Sequence, residues 1–375
     1  MNMKKIKIYL NYPYDKSGKK LIVLPVVQCL YDYFSKQNNF EVVETIDDID
    51  IFFFFAGGPL REFNRYHKFL IKNLEKFGQY IPKFLAKKYM LPNITAEQIL
   101  KEAKRKNKSM KVIHRLDDRY FYLCKAYGNE KTIINVNKYA DATVYQSKYC
   151  QTLYEGILPE TIFGKLQKLN CTQRYFIYNG TDTNIFSPNG DKVSLKGNIN
   201  ICHIAATGMP RKGLSMVLAI AEILKNNKNI HFYLIGNQNN DPLSGHFINS
   251  LENVTHLPFI DDRYEMAKYM RSMDLLLFPS IDDCSPNTVI EAMASGLPVL
   301  ADASGGVPEL IHKDDGLKGG LFIDKENPIF NLKIILENHA SFKKNALEIV
   351  NKYHTLEIMC NNYKNLIYKL LDMDK

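Results

Sequence analysis

Tryptophan is absent from this 375-residue sequence, and cysteine is sparse. The seven Cys residues lie far apart, with no Cys-x-x-Cys pair and no cluster with His. This spacing excludes a disulfide framework and a zinc-binding pattern, so we expect a protein of the reducing cytosol. The lack of Trp beside many Asn, Lys, Tyr and Phe residues is typical of an AT-rich genome and excludes no class of function.

Long apolar runs are also missing. No stretch approaches the ~20 consecutive apolar residues that a membrane-spanning helix needs. The first residues, MNMKKIKIYLNY, contain an apolar stretch that is too short and too polar for a signal peptide, and they predict a buried strand. We therefore expect a cytoplasmic protein, and peripheral attachment to the inner face of the membrane stays open.

Acidic residues are few between Arg61 and Lys111. This segment has 14 Lys and Arg residues against four Glu residues, while the whole chain has a formal net charge of +9. Two interpretations stay open: a solvated helical face, or a basic surface 61–111 that faces anionic lipid headgroups or an anionic acceptor. Nucleic acid is disfavoured as a partner, because no recognition module accompanies the charge.

Strand and helix patterns alternate along both halves of the chain. The first half predicts strands at 5–12, 40–45, 49–58 and 110–118 and a strand and turn at 142–150, and four successive Phe residues suit a strand buried on both faces. The second half predicts strands at 199–207, 231–236 and 273–278, a short strand with a loop at 253–260, and a helical run at 341–373. Alternation of this kind indicates parallel sheets in two Rossmann-like α/β domains. The turn formers around Asn179-Gly180 mark the linker.

The stretch 279–311, PSIDDCSPNTVIEAMASGLPVLADASGGVPELI, is the most informative part of the sequence. It predicts a polar loop, a helix at 288–295 that opens with Glu291, a strand and a Gly-Gly turn. Loop amides and a helix N-terminus favour a phosphate, whereas a carboxylate just inside the helix suits sugar hydroxyls. Together they indicate a nucleotide-sugar site. The structural alternative is an ordinary strand-loop-helix with a capping Glu.

These residues closely resemble the donor-site signature of retaining glycosyltransferases of family 4, also called glycosyl transferases group 1. That family usually has two Glu residues separated by seven positions. Here the first acid is Asp283, one methylene shorter, and the second is Glu291. The resemblance implies a GT-B fold, with two Rossmann-like domains whose parallel sheets face a central cleft. The implied parts are an acceptor-side domain at 1–180, a donor domain at 181–350 and a C-terminal helix at 351–375 that crosses back.

The resemblance also implies roles for single residues of the donor domain. Lys212 matches the Lys that contacts the donor diphosphate, and Arg211 is the nearest Arg to a family Arg that is missing upstream. Asp283 matches the acid that contacts hydroxyls of the transferred sugar, and Glu291 matches the acid that binds ribose hydroxyls. Backbone groups close to the donor are implied at Gly208, Ser285, Asn287 and Thr288. Asn287 and Thr288 also suit a helix cap.

In the first domain, His114 and Asp117 both match a family position that faces the donor sugar, and the choice between them stays open. The alternative for each is an ordinary polar loop residue. Gly18 loosely matches the glycine of a loop that approaches donor and acceptor. The catalytic candidates are therefore Lys212, Asp283, Asp117 and His114.

The implied activity is that of a metal-independent, retaining hexosyltransferase. It moves a sugar from a nucleoside diphosphate sugar to a glycan or lipid-linked acceptor, as in cell-surface polysaccharide or lipopolysaccharide synthesis. We expect no cofactor and no metal, because Asp48-Ile49-Asp50 lacks supporting ligands and predicts a strand-entry turn. Two other interpretations remain: another GT-B enzyme such as a sugar-nucleotide epimerase or phosphorylase, and a non-catalytic nucleotide-sugar-binding subunit.

Overall fold

A computed structural model describes residues 4–11, 25–55, 96–117, 133–156, 169, 171, 173–205, 210–236 and 248–373. The chain divides into two compact units. The first unit contains residues 1–145, 153–175 and 364–375, and the second contains residues 146–152 and 176–363. Each half of the chain therefore contributes a short segment to the other unit.

The first unit is built on a six-stranded sheet with the order β2-β1-β3-β4-β5-β6. In chain order its strands are Ile6–Asn11, Phe40–Val43, Ile51–Phe55, Lys111–Leu116, Ala142–Tyr145 and Arg174–Phe176. β1 pairs in parallel with β2 and β3, and β4 pairs in parallel with β3 and β5. All five residues of β3, IFFFF, are buried, which confirms the prediction of a strand covered on both faces.

The second unit has a six-stranded sheet with the order β12-β11-β10-β7-β8-β9, and its pairs are parallel. In chain order its strands are Ile199–Ala205, Ile230–Gly236, Val254–Leu257, Leu275–Phe278, Val299–Ala301 and Gly320–Phe322. The strand order reverses between β7 and β10. Open α/β sheets bind ligands outside the carboxyl ends of the strands at such a switch point.

The described helices follow the strands as the sequence pattern predicts. The helix Asn287–Ala294 buries five of its eight residues against β10 and the helix His339–Tyr353. The other helices are Pro25–Ser35, Ala96–Lys106, Lys148–Glu155, Leu214–Ile223, Arg263–Ser272, Val307–Ile311, Phe330–Glu337 and Leu356–Leu370, with a 3₁₀ turn at Pro210–Lys212.

Two predicted elements differ from the structure. The strand and turn predicted at 142–150 are a strand that ends at Tyr145 and a helix that begins at Lys148. The run predicted as one helix at 341–373 is interrupted at His354 and Thr355. Thr181 N donates to His354 O at 2.9 Å, and Leu356 N donates to Thr181 O at 2.8 Å. The first helix therefore ends where these two backbone hydrogen bonds to Thr181 form, and neither Pro nor Gly is present at the interruption.

Candidate functional site

The turn after β7 and the loop after β10 are held together by their backbones. Arg211 O accepts a hydrogen bond from Ile281 N at 2.9 Å. Gly213 has a φ of 74°, and a Cβ atom there would lie 2.5 Å from Pro279 O. Glycine is therefore required at 213 for both conformation and space. This contact brings together the side chains of the two segments at the switch point of the second sheet.

Asp283 is the centre of an ionic group that we call the Asp283 cluster, formed with Arg211, Lys212 and Ser280. Its Oδ1 accepts from Arg211 Nη1 at 2.9 Å and from Lys212 Nζ at 3.1 Å. Its Oδ2 accepts from Lys212 Nζ at 2.9 Å and from Ser280 Oγ at 2.5 Å. The side chains of Arg211, Lys212 and Asp283 are 9%, 21% and 10% exposed. The cluster therefore keeps two cations on one largely buried carboxylate.

The charge of Asp283 is set by two opposing effects. Burial disfavours the ionised carboxylate, while Lys212 and Arg211 attract it and Ser280 donates a hydrogen bond to it. The attraction prevails, and the pKa of Asp283 lies below its usual range. Asp283 is thus ionised at neutral pH and paired with Lys212, which the resemblance assigns to the donor diphosphate, and with Arg211, the nearest Arg to the missing family Arg.

The main chain at Asp282 and Asp283 is fixed from several sides. Gly306 N donates to Asp283 O at 2.8 Å. Asp282 has a φ of 61°, its N donates to Ser304 Oγ at 3.2 Å, and its Oδ1 accepts from Tyr149 OH at 2.9 Å. These contacts give the loop one conformation and hold the carboxylate of Asp283 toward its cations.

Glu309 anchors the helix Lys148–Glu155, which carries Tyr149. Its Oε2 accepts from Lys148 N and its Oε1 from Tyr149 N, both at 2.8 Å. Tyr178 OH also donates to Glu309 Oε2, at 2.7 Å. The first amides of a helix lack intrahelical acceptors and favour negative charge. Glu309 therefore acts as an external cap for this helix.

The helix Asn287–Ala294 begins with Pro286 at its N-cap and has no side-chain cap. The alternative of a capping role is therefore wrong for Asn287 and Thr288. Asn287 Oδ1 accepts from Asn179 Nδ2 at 2.9 Å, and Ser285 O accepts from the same nitrogen at 3.0 Å. Ser285 is buried, and its Oγ has no hydrogen-bond partner in the described structure. The first main-chain amides of the helix lack intrahelical acceptors.

Glu291 lies in the second turn of this helix, further from its start than the sequence predicted. Arg263 Nη2 donates to Glu291 Oε1 at 3.1 Å, and its guanidinium lies 5.1 Å from the centre of the Phe186 ring. Burial raises the pKa of Glu291 to about 7, and the attraction of Arg263 opposes this rise. Glu291 is therefore an acceptor whose charge changes in the neutral range.

The two candidates of the first unit have different surroundings. His114 lies inside β4, fully buried, with its Nδ1 3.0 Å from Asn137 Nδ2 and its ring edge-on to Phe54. Burial lowers the pKa of His114 to about 3, so it is neutral. Asp117 follows the end of β4 and pairs with Arg115. Asp117 therefore lies at the carboxyl edge of the first sheet, whereas His114 is a core residue.

Part of the predicted site and of the basic surface lies outside the described residues, namely Gly18, Gly208 and 61–95. In the described helix Ala96–Lys106, three basic side chains pair with acids. The pairs are Lys104 with Asp141 at 3.6 Å, Arg105 with Glu102 at 2.8 Å and Lys106 with Asp47 at 2.5 Å. This pairing favours a solvated face for the described part of the basic surface.

Asp48 and Asp50 are both engaged by one residue, Lys7. Lys7 Nζ lies 2.9 Å from Asp48 Oδ2, and Lys7 N donates to Asp50 Oδ2 at 2.8 Å. Across the described parts of the chain, no three His, Cys, Asp or Glu side chains are grouped so that they could hold a metal ion. Among the described helices, none has the length and apolar character needed to cross a membrane.

Sequence reasoning missed four residues that shape the site: Ser280, Arg263, Asn179 and Glu309. Ser280 and Glu309 lie within the most informative stretch, but nothing in the spacing indicates what their side chains contact. Arg263 begins a helix, and its pairing with Glu291 depends on how two helices pack. A single sequence carries no signal for such a pair.

Residues 199–332 match the family model described as glycosyl transferases group 1. The chain is 36% identical over 95 residues to sulfoquinovosyl transferase SQD2 of Arabidopsis thaliana, covering 24% of this chain and 19% of that protein. It is 26% identical over 230 residues to the uncharacterized glycosyltransferase MJ1178 of Methanocaldococcus jannaschii, covering 60% of this chain and 58% of that protein. The chain therefore spans less than two thirds of either relative.

A solved structure with a similar fold is Anabaena Alr3699/HepE in complex with UDP and glucose. Its TM-score is 0.60 at 17% identity, and the match covers 97% of this chain and 99% of that chain. This likeness confirms the GT-B fold. The matched range 199–332 begins with β7 and includes the Asp283 cluster, Arg263 and Glu291, which confirms the resemblance to glycosyl transferases group 1.

Proposed function

We propose that this chain, whose second unit carries the glycosyl transferases group 1 match, is a retaining glycosyltransferase that uses a nucleoside diphosphate sugar. The observation that carries the proposal is the Asp283 cluster at the switch point between β7 and β10. Arg211 and Lys212 both donate to this one carboxylate, and all three side chains are largely buried. A diphosphate carries the negative charge that attracts two such cations, and its oxygens accept hydrogen bonds from both.

In the proposed reaction, the donor diphosphate takes Arg211 and Lys212 away from Asp283. The two cations neutralise the charge that develops on the leaving diphosphate, and the start of the helix Asn287–Ala294 adds to the positive field. Asp283, once released, accepts hydrogen bonds from hydroxyls of the transferred sugar. Glu291 accepts hydrogen bonds from the ribose. No metal ion or other cofactor is required, because side chains and amides supply the positive field.

The protein's contribution to the chemical step is positioning and electrostatic stabilisation. The diphosphate leaves from the face that the acceptor hydroxyl attacks, and its oxygen takes the proton of that hydroxyl. Attack on the same face retains the anomeric configuration. The acceptor is a glycan or glycolipid of the cell-surface polysaccharide or lipopolysaccharide class. UDP is the first nucleotide to test, because the HepE structure of similar fold contains UDP and glucose.

We further infer that the basic surface 61–111 meets anionic lipid headgroups, so that the enzyme works at the inner face of the membrane. The support is the excess of Lys and Arg in the sequence. Three basic residues of 96–106 pair with acids, so the proposal depends on the Lys and Arg residues of 61–95.

The test of the donor site is the variant Lys212→Ala, compared with Lys225→Ala. Lys225 is 51% exposed and pairs with Glu222 one turn away, so Lys225→Ala is a matched loss of one charge. A thermal-shift screen with UDP-, GDP- and ADP-sugars first identifies the donor. We expect Lys212→Ala to lower turnover at least about tenfold, or ~1.4 kcal/mol, and Lys225→Ala to leave it unchanged. Equal turnover in both variants would contradict the assignment.

The same assay separates the proposed function from its alternatives. A glycosyltransferase releases nucleoside diphosphate in proportion to the acceptor that is glycosylated. Epimerisation of the donor without an acceptor, or dependence on inorganic phosphate, would indicate another GT-B enzyme. Donor binding by calorimetry without hydrolysis or transfer would indicate a non-catalytic binding subunit.

A further inference from the structure

We propose that Arg263 is a positioning residue that holds Glu291 as an ionised acceptor for the vicinal hydroxyls of the donor ribose. This inference rests on the proposed function, which supplies the nucleotide. Arg263 Nη2 donates a hydrogen bond to Oε1 of Glu291 at 3.1 Å. In the described part of the chain, Oε2 of Glu291 has no hydrogen-bond partner. One oxygen is thus oriented by the guanidinium, and the other is left for a ligand.

Arg263 itself is held in place from two sides. It is the first residue of the helix Arg263–Ser272, whose N-cap Asp262 accepts from Glu265 N at 2.9 Å. Its guanidinium lies over the ring of Phe186, which is 1% exposed. Stacking of a guanidinium on an aromatic face is stabilising and restricts its orientation. The position of the charge beside Glu291 is therefore determined by the packing around it.

The pair has a direct consequence for recognition. Burial favours the protonated form of Glu291, and Arg263 is the charged group among the described residues that acts against it. A carboxylate accepts charge-assisted hydrogen bonds from two hydroxyls, whereas a protonated acid is a weaker acceptor. Affinity for a ribonucleotide should therefore rise with pH as Glu291 ionises near pH 7. Loss of Arg263 raises the pKa of Glu291 further and moves that rise to higher pH.

The test measures binding by calorimetry between pH 6 and pH 9, for the wild type, Arg263→Gln and Arg263→Lys. The probes are UDP, GDP and ADP, each beside its 2′-deoxy counterpart, which lacks one of the two hydroxyls. We expect the wild type to prefer the ribose form about tenfold, since a hydrogen bond to a charged group is strong. In Arg263→Gln the preference should fall below about threefold at pH 7. Arg263→Lys keeps the charge and should keep the pH profile.

Lys268→Gln is the matched control, because it removes one positive charge from the same helix, where Lys268 pairs with Glu265 at the surface. It should keep both the ribose preference and the pH profile. The inference would be overturned if Arg263→Gln kept the ribose preference and the pH profile of the wild type. It would also be overturned if Arg263→Gln bound the ribose and deoxyribose forms equally more weakly, because that result indicates a merely structural role. If Arg263→Gln does not fold, the test rests on Arg263→Lys. A pH profile of nucleotide binding that is shifted from that of the wild type would then overturn the inference. Failure of the wild type to bind any of the nucleotides overturns the proposed function instead.

Discussion

Asp283 is one methylene shorter than the Glu usual at this position in the family that the chain resembles. Its carboxylate forms ion pairs with Arg211 and Lys212. The main chain of its loop touches the turn that carries Arg211 and Lys212, through the bond from Ile281 N to Arg211 O. The short side chain therefore ends within hydrogen-bond distance of both cations and of Ser280. We interpret this arrangement as an internal ion pair with which the diphosphate of the proposed donor competes for Arg211 and Lys212.

Replacement of Asp283 by Asn tests this interpretation at the scale of one residue. The variant removes the negative charge that Arg211 and Lys212 share at this largely buried position, which should destabilise the protein without added ligand by about 3 kcal/mol. Pyrophosphate should bind the variant more tightly than the wild type and recover much of the stability. Thermal melting with and without pyrophosphate measures both effects.

The pH dependence of this effect has a defined sign. Because the folded pKa of Asp283 is depressed, its stabilisation is present above the unfolded value of about 3.9 and is lost as the pH falls further. The difference between wild type and Asp283→Asn should therefore shrink in acid. Asp282→Asn is the control, since Asp282 lies outside the cluster and Asn tolerates its φ of 61°. A melting temperature of Asp283→Asn equal to that of Asp282→Asn would contradict the interpretation.

At the scale of elements, the site depends on loops that are fixed by contacts from distant segments. The strands could be predicted because runs such as IFFFF and LLLF are apolar enough to be buried, and their bounds were nearly right. The helix break at His354 and Thr355 could not be predicted, because it results from backbone hydrogen bonds to Thr181 and not from the local sequence. The residues of the donor motif were predicted from the family resemblance. Their hydrogen-bond partners, such as Arg263, could not be predicted, because they depend on how distant elements pack.

Glu309 offers a test of this external support. Glu309→Gln keeps an acceptor oxygen but removes the negative charge from the start of the helix Lys148–Glu155, where two amides and Tyr178 donate to it. We expect a loss of about 1–2 kcal/mol in stability. Amide hydrogen exchange at Lys148 and Tyr149 should become faster, because their acceptor is weaker.

The control for this prediction is Glu357→Gln. Glu357 is an exposed acid in the first turn of the helix Leu356–Leu370, so the same charge is removed from a helix start. Its loss should change stability by a few tenths of a kcal/mol. Unchanged exchange at Lys148 and Tyr149 in Glu309→Gln would mean that the carboxylate does not support this helix.

At the scale of the whole molecule, the alternation of strand and helix predicted the α/β class, because it is a global pattern that local errors do not erase. The GT-B fold was implied by the resemblance of the donor motif to glycosyl transferases group 1. The Asp283 cluster was only half predicted: Arg211, Lys212 and Asp283 were named as ligands of separate parts of a donor rather than of one another, and Ser280 was missed. The reason is physical, since in the absence of donor opposite charges in a largely buried place pair with each other.

The uneven charge of the molecule makes one further prediction, that 61–95 binds anionic membranes. Wild-type protein should sediment with vesicles that contain phosphatidylserine, and less so at high salt, because each basic residue at such a surface contributes about 1 kcal/mol. Reversal of Lys83, Lys87 and Lys88 to Glu should abolish sedimentation. The equal reversal of Lys225, Lys228 and Lys344, exposed lysines of the second unit, should preserve it, because the proposed contact is local. Equal loss in both variants, or no sedimentation of the wild type, would refute a membrane-binding segment.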